Sequence, residues 1–394
     1  MPLADPATGP ERDAAFCLLR DLVRADSINP PGNTTGPAGI ARTALDGLPI
    51  EFITADPAKP NLVVTLDNGP GPSIHLNAHL DTVPPGDISA WTVPIHELTA
   101  RDGALYGLGT GNMKAAAAAM ILAVRRLDQT RGAWRGRVIL SLVADECVFG
   151  PDGAHHLLAE RPELAGDHLI CGEGAGAMHL AIAEKGLMWV RITATGRVGQ
   201  GMLTKSGTSA PARLAAALAV VDGWNQLTCR PPLPSLDHPA NAEGMRLSAN
   251  IGRIAGGSGF SPAVSEATAD LDLRLPPGLT MAEVSARLDG LCADGHLSWS
   301  LVKGWEANWS PPDCAPACSV RAMATAVLGA APRDVTRLPA ADASRWRALG
   351  IPAVCYGPQP DLASGVDDHV NEADFLACLS VYAGAVAHLS QTAE

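Results

Sequence analysis

The chain has 394 residues, 47% hydrophobic and 18% charged, which is enough for a sizeable core and for two or three domains. A formal charge of −12 argues against the basic face that a nucleic-acid partner requires. The N-terminal MPLADPATGPERDAAF has no positive region followed by an apolar stretch, so a secretory signal is not expected. The most apolar run, Ala115 to Val124, is about half a membrane span, so no membrane partner is expected. Nine cysteines lie without a pairing pattern, and Cys314 and Cys318 have no nearby histidine pair. A reduced, cytoplasmic setting is the simplest expectation.

In chain order, the first half alternates β-like runs with helical ones, the pattern of an α/β sheet with crossover helices. Asn61–Leu66, Ser73–Ala78, Arg137–Ala144 and His168–Cys171 read as strands, and Met113–Leu127 and Gly153–Leu158 as helices. After Lys185 the order changes. Leu187–Thr195 is a strand, Ala210–Trp224 a helix, Leu247–Ile254 and Thr268–Leu275 strands, Thr280–Leu291 a helix and Leu297–Val302 a strand. That β-α-β-β-α-β order is a ferredoxin-like α+β unit. Beyond Pro312, Ala315–Leu328 reads as a helix, Ile351–Tyr356 as a strand and Glu372–Leu389 as a closing helix, with His369 in the loop before it. The expected organisation is a catalytic domain of residues 1–184 and 307–394, interrupted by an insert of residues 185–306.

The groups capable of chemistry fall just after the strands: His79 and Asp81, then Asp145, Glu146 and Cys147, then Glu173. In open α/β sheets ligands bind beyond the carboxyl ends of strands, so separate segments converge on one edge. A carboxylate such as Asp81 can hold the second nitrogen of a metal-binding histidine. The glycines of Leu105-Tyr106-Gly107-Leu108-Gly109-Thr110-Gly111-Asn112 lack the spacing of a phosphate loop and read as a tight turn that presents Asn112. Taken singly, each group is at least as well explained as a solvated loop acid, a buried thiol or a helix-start histidine. Their number and order favour a metal site.

HLDTVPPGD, LYGLGTGNMKAA, ADECVFGPDGA, CGEG and DDHVNE, in this order, resemble the aminoacylase / acetylornithine deacetylase / succinyl-diaminopimelate desuccinylase family of co-catalytic zinc hydrolases. EKG, ANIGRIAGG and DLDLRLPPG resemble that family's dimerisation (lid) domain. The resemblance implies a zinc-exopeptidase-like catalytic domain, a mixed sheet flanked by helices, with a ferredoxin-like lid through which a homodimer forms. It implies one or two divalent metals, zinc foremost with manganese or cobalt as alternatives. His79 and Glu173 would hold one metal, His369 and Cys147 the other, and Asn112 would bridge them. Asp81 would orient His79, Glu146 would be the general base, and Arg274 would contact a substrate carboxylate.

The departures fall in the site. Asn112 stands where the family has aspartate, Cys147 where it has glutamate, Gln200 where it has a lid histidine and Ser261 where it has asparagine. A neutral Asn112 bridges two cations poorly, whereas Cys147 as thiolate is a good zinc ligand. Gln200 keeps a hydrogen-bond donor near the substrate but not a positive charge. The expected activity is hydrolysis of a C–N bond in a small carboxylated substrate such as an N-acyl amino acid. The alternatives are an aminohydrolase acting as a deaminase through the same site, and a catalytically silent homologue that binds a ligand or partner.

Overall fold

The computed structural model describes residues 9–257, 259–360 and 365–392. The chain folds into two compact units. The first comprises Met1–Ile182, Ser310–Asp334 and Ala341–Glu394, and the second Ala183–Trp309 and Val335–Ala340.

A mixed sheet organises the first unit. Its strands run Ile50–Ile53, Asn61–Asn68, Gly136–Val143, Ser73–His79, His168–Cys171, Ala353–Cys355 and then His179–Glu184. Ser73–His79 pairs parallel with Gly136–Val143 on one side and with His168–Cys171 on the other. Asn61–Asn68 joins antiparallel at the outer side. The central strands read as near-continuous apolar runs because helices cover a parallel sheet on both faces. Leu62, Val64, Ile74, Leu76, Leu140, Leu142, Leu169 and Ile170 are all buried.

The helix Ala115–Gln129 starts with five alanines, all buried, and packs against the closing helix Glu372–Thr392. Small side chains there let the two backbones approach closely. Glu372–Thr392 is also the one described helix long and apolar enough to cross a membrane, but most of it is buried within this unit. The expected helix start at Met113 moves to Ala115, because Asn112 and Met113 adopt non-helical backbone angles (φ −124° and −139°) in the turn that presents Asn112.

The second unit is a four-stranded antiparallel sheet in the order Ser248–Gly256, Glu266–Leu275, Gly186–Thr195 and Leu297–Trp305. The helices Ala210–Gly223 and Met281–Leu291 pack on it, giving the ferredoxin-like βαββαβ arrangement. Glu266–Leu275 alternates strictly between buried and part-exposed positions, as a strand covered on one face must. Ala267, Ala269, Leu271, Leu273 and Leu275 face Leu214, Leu218, Val284 and Leu288 in one core. Thr280 and Glu283 close a reciprocal capping box at the start of Met281–Leu291.

Candidate metal centre

Three parallel strands deliver the centre. Ser73–His79 ends on His79, Gly136–Val143 runs into Asp145-Glu146-Cys147, and His168–Cys171 into Glu173. His79, Asp81, Glu146 and Glu173 are all buried.

His79 Nδ1 lies 2.8 Å from the main-chain oxygen of Asp81, which can only accept, so Nδ1 carries the proton. The Asp81 carboxylate is farther from Nδ1, at 3.5 Å. That carboxylate chiefly organises the neighbouring turn: Oδ2 accepts from Asn29 Nδ2 (2.8 Å) and Cys147 N (3.0 Å), and Oδ1 from Glu146 N (3.2 Å). Although burial opposes its ionisation, these bonds and His79 hold its pKa below the usual value. The adjoining Asp145 has a left-handed backbone (φ 61°), unusual for a residue with a Cβ. Lys59 Nζ at 2.7 Å and Asn29 Nδ2 at 3.2 Å hold its side chain there. Asn29 therefore ties the histidine loop to the Glu146-Cys147 turn.

On its other side, His79 Nε2 faces Asn112 Oδ1 at 3.1 Å, Glu173 Oε1 at 3.1 Å and Glu146 Oε2 at 3.6 Å. Three oxygens converge on a nitrogen whose proton is committed elsewhere. A second ring proton, a cation, or a proton supplied by Glu146 or the Asn112 amide reconciles them, and the first two place positive charge at that point. Burial lowers the affinity of His79 for a proton, but Cys147, Asp81 and Glu146 outweigh it and raise its pKa well above the usual range. Burial and the charge of Glu173 push Glu146 well up, and its Oε1 has no hydrogen-bond partner among the described residues. Burial, then Asp81, does the same to the Cys147 thiol. Ligand atoms of His79, Glu146 and Glu173 lie within 4.8 Å of one another, as do those of His79, Asp81 and Cys147. One imidazole, buried carboxylates and a thiol gathered this closely fit a divalent ion.

Asn112 reaches this cluster from the glycine-rich turn, its Nδ2 3.9 Å from Cys147 Sγ. The turn is pinned from the far end of the chain. The buried carboxylate of Asp368 accepts from Gly109 N at 2.8 Å and Gly111 N at 3.0 Å, and Asp368 O accepts from Gly107 N at 2.9 Å. Gly109 needs its freedom, since φ is +80° and a Cβ would press on Thr82 and Lys114.

His369 differs from its expected setting. It lies not in a loop but in a short strand, His369–Asn371, paired with Ala104–Tyr106. Three residues carry too little periodicity to be read as a strand, and the pairing is supplied by a partner far away in sequence. Its ring stacks on Tyr106 (5.0 Å between centroids), and Nδ1 donates to Asp367 O at 2.8 Å, leaving Nε2 as the acceptor. His369 belongs to neither of the two ligand clusters above.

Asp342 was not anticipated from sequence. It is buried, its Oδ2 has no hydrogen-bond partner among the described residues, and Arg345 Nε touches Oδ1 at 3.3 Å. Burial raises its pKa to about 6, against the opposing charges of Arg345 and His79 and with Glu173 adding to the rise. It sits in Ala340-Ala341-Asp342-Ala343, which reads locally as a turn and carries no signal of proximity to His79. Gln200 and Arg274 belong to the second unit. Gln200 is exposed on a two-residue strand paired with Pro262–Ala263, and Ser261 lies beside that strand. Arg274 is clamped by Asp272 through Nε at 2.8 Å and a terminal nitrogen at 3.0 Å.

A mixed α/β sheet that brings buried histidine, carboxylate and thiol side chains to the ends of its parallel strands defines a metallohydrolase class. Residues 75–388 match the model of Peptidase family M20/M25/M40, and the chain belongs to that family. It is 30% identical to a succinyl-diaminopimelate desuccinylase of Gluconacetobacter diazotrophicus, over 96% of this chain and 97% of the relative. It is 26% identical to human aminoacylase-1, over 95% of each. The fold matches the Bacillus subtilis YXEP protein, described as a dinuclear metal binding peptidase of the M20 family, at a TM-score of 0.69. That match has 13% identity over 97% of this chain and 99% of the other.

Proposed function

We propose that this chain hydrolyses the C–N bond of a small carboxylated amide, an N-acyl amino acid being the simplest example. The carrying observation is the convergence of Asn112, Glu146 and Glu173 oxygens on His79 Nε2. Named relatives that are a desuccinylase and an aminoacylase support the substrate class. His79 and Glu173 would hold one divalent metal, Cys147 and His369 a second, and Asn112 would span them, with zinc favoured by the thiol and imidazole donors. When bound, such a metal polarises water and the scissile carbonyl.

Glu146 is the proton carrier. Its raised proton affinity suits a group that takes a proton from water and passes it to the leaving nitrogen. Asp81 keeps Glu146 in place by accepting its backbone N–H, and Asn29 braces Asp81. A silent ligand-binding homologue has one observation in its favour. The Asn112 amide can itself hydrogen-bond His79 Nε2 and so close the centre without metal.

Metal analysis of the purified chain, followed by assay on N-acetyl and N-succinyl amino acids before and after chelation, separates the two. The expected result is at least one tightly held transition metal per chain and turnover that is lost on chelation and restored by zinc, manganese or cobalt. A metal-free chain with no thermal gain on adding zinc would sink the hydrolase reading.

A further inference from the structure

The loop that carries Glu146 and Cys147 is neither helix nor strand, and two of its residues are left-handed. Asp145 has φ 61° and Phe149 φ 52°. Aspartate tolerates that backbone, but an aromatic residue adopts it only where the surroundings enforce it. Within the loop, Phe149 N donates to Glu146 O at 2.7 Å and Gly150 N to Asp145 O at 2.9 Å. Bonds of this kind close a turn without fixing where its ends sit.

The ends are fixed by one short segment of the same unit, Lys59-Pro60-Asn61, which leads into the strand Asn61–Asn68. Lys59 Nζ donates to Asp145 Oδ1 at 2.7 Å and to Asp152 Oδ2 at 3.3 Å, so one ammonium spans both ends of the loop. Asn61 spans them again with its amide. Its Oδ1 accepts from Ala144 N at 2.9 Å, and its Nδ2 donates to Asp152 O at 2.7 Å. Asp145 Oδ2 also accepts from Asp152 N at 3.3 Å. The closure is tight enough that a Cβ at Gly153 would collide with Ala144 O. The clamp is anchored in turn, since Lys59 N donates to Asp56 O at 2.8 Å and Thr34 N to Ala58 O at 2.9 Å. Proline at position 60 restricts the backbone between the two clamping side chains. Burial opposes the charge on Lys59, but Asp145 and Asp152 outweigh it and raise its pKa, so the ammonium persists at neutral pH.

We propose that Lys59 is a positioning residue for the proton carrier Glu146, acting through Asp145. Asp81 holds the middle of the loop through the N–H groups of Glu146 and Cys147, while Lys59 fixes the residue on which the loop pivots. Glu146 follows Asp145 directly, so rotation of the Asp145 backbone would swing the Glu146 carboxylate from its place 3.6 Å from His79 Nε2. The assignment rests on the hydrolase reading for the role of Glu146; the clamp itself does not.

The test uses the metal-loaded full chain and an N-acetyl amino acid that it accepts. Lys59→Met keeps the stem and removes the ammonium. It should lower kcat by about 10–100-fold with KM and metal content unchanged, because it displaces the proton carrier rather than the substrate. Lys59→Arg should restore most of the rate. Amide exchange read by mass spectrometry should quicken about tenfold across residues 145–152 of Lys59→Met and keep the parent rate in the strands Asn61–Asn68 and Gly136–Val143. Asp152→Asn weakens the clamp at its other end and should cost about two- to fivefold in kcat, so the idea stays testable even if Lys59→Met fails to fold. Parent kcat in Lys59→Met overturns the proposal, with or without a fall in Tm, as does an equal loss in Lys59→Arg or unchanged exchange across 145–152. Exchange is read without substrate, so a chain that turns over no amide sinks the hydrolase reading while the clamp is still judged on its own.

Discussion

In the first unit buried carboxylates gather at one histidine: Asp81, Glu146 and Glu173 lie within 3.6 Å of His79, and Asp342 feels its charge. In the second unit the buried ionisable groups are Glu184, Lys185 and Arg337, with the Lys185 ammonium at the end of the sheet donating to Ser248. The two regions also differ in construction. The acid-rich centre is over-determined, with Asp81 and Asp368 each accepting from several donors on other segments. Lys185 has one hydroxyl partner. A centre braced from several segments keeps its geometry, whereas Lys185 rests on one side-chain contact.

The comparison breaks most visibly at Glu146. Glu146→Gln should lower turnover on any accepted amide by about 10²–10⁴-fold while metal content persists. The metal-free variant should unfold no earlier than the parent, since a neutral amide replaces a carboxyl whose ionisation burial already disfavours. Unchanged turnover would remove Glu146 from the mechanism.

A smaller effect is expected at Asp368, which tests the bracing. Asp368→Asn replaces an acceptor with a group that presents N–H to Gly109 or Gly111, so the turn carrying Asn112 loosens. Metal affinity, measured by competition with a chelator, should fall by about 10–100-fold, the range seen when groups that orient ligands are changed. Equal affinity would mean that the glycine turn holds itself.

The smallest change expected is at Asn112. Asn112→Asp adds one more anion to the acid-rich side. The metal-free protein should lose about 2–4 °C in Tm, and the metal bound per chain should rise. If neither moves, the gathered carboxylates do not govern metal uptake and the contrast between the units loses its meaning.

Much of this was legible in the sequence because it is local. Alternation in Glu266–Leu275, the alanine run of Ala115–Gln129 and the placement of His79, Glu146 and Glu173 after apolar strands are visible within a few residues of each group. The strand Ala353–Cys355 proved shorter than its apolar run, since Ile351 and Pro352 lie outside the pairing and proline has no N–H to give a ladder. The helices Pro10–Arg24 and Thr35–Ala44 were not anticipated, although the first carries a proline at its start and acids in its first turn.

The sequence by itself determined the elements, the two folding patterns and the order of the chemical groups, because hydrophobic periodicity and strand-end positions are properties of short segments. Only the tertiary structure decided which of those groups meet. It put three oxygens on His79 Nε2, gave Asp368 to the glycine turn more than 250 residues before it, set His369 in a strand, and brought Asp342 into the field of His79. It also enclosed Lys185 at the end of the second unit's sheet, with Ser248 as its side-chain partner. Burial and long-range pairing set the cost of a charge, and neither is written in the residues flanking it.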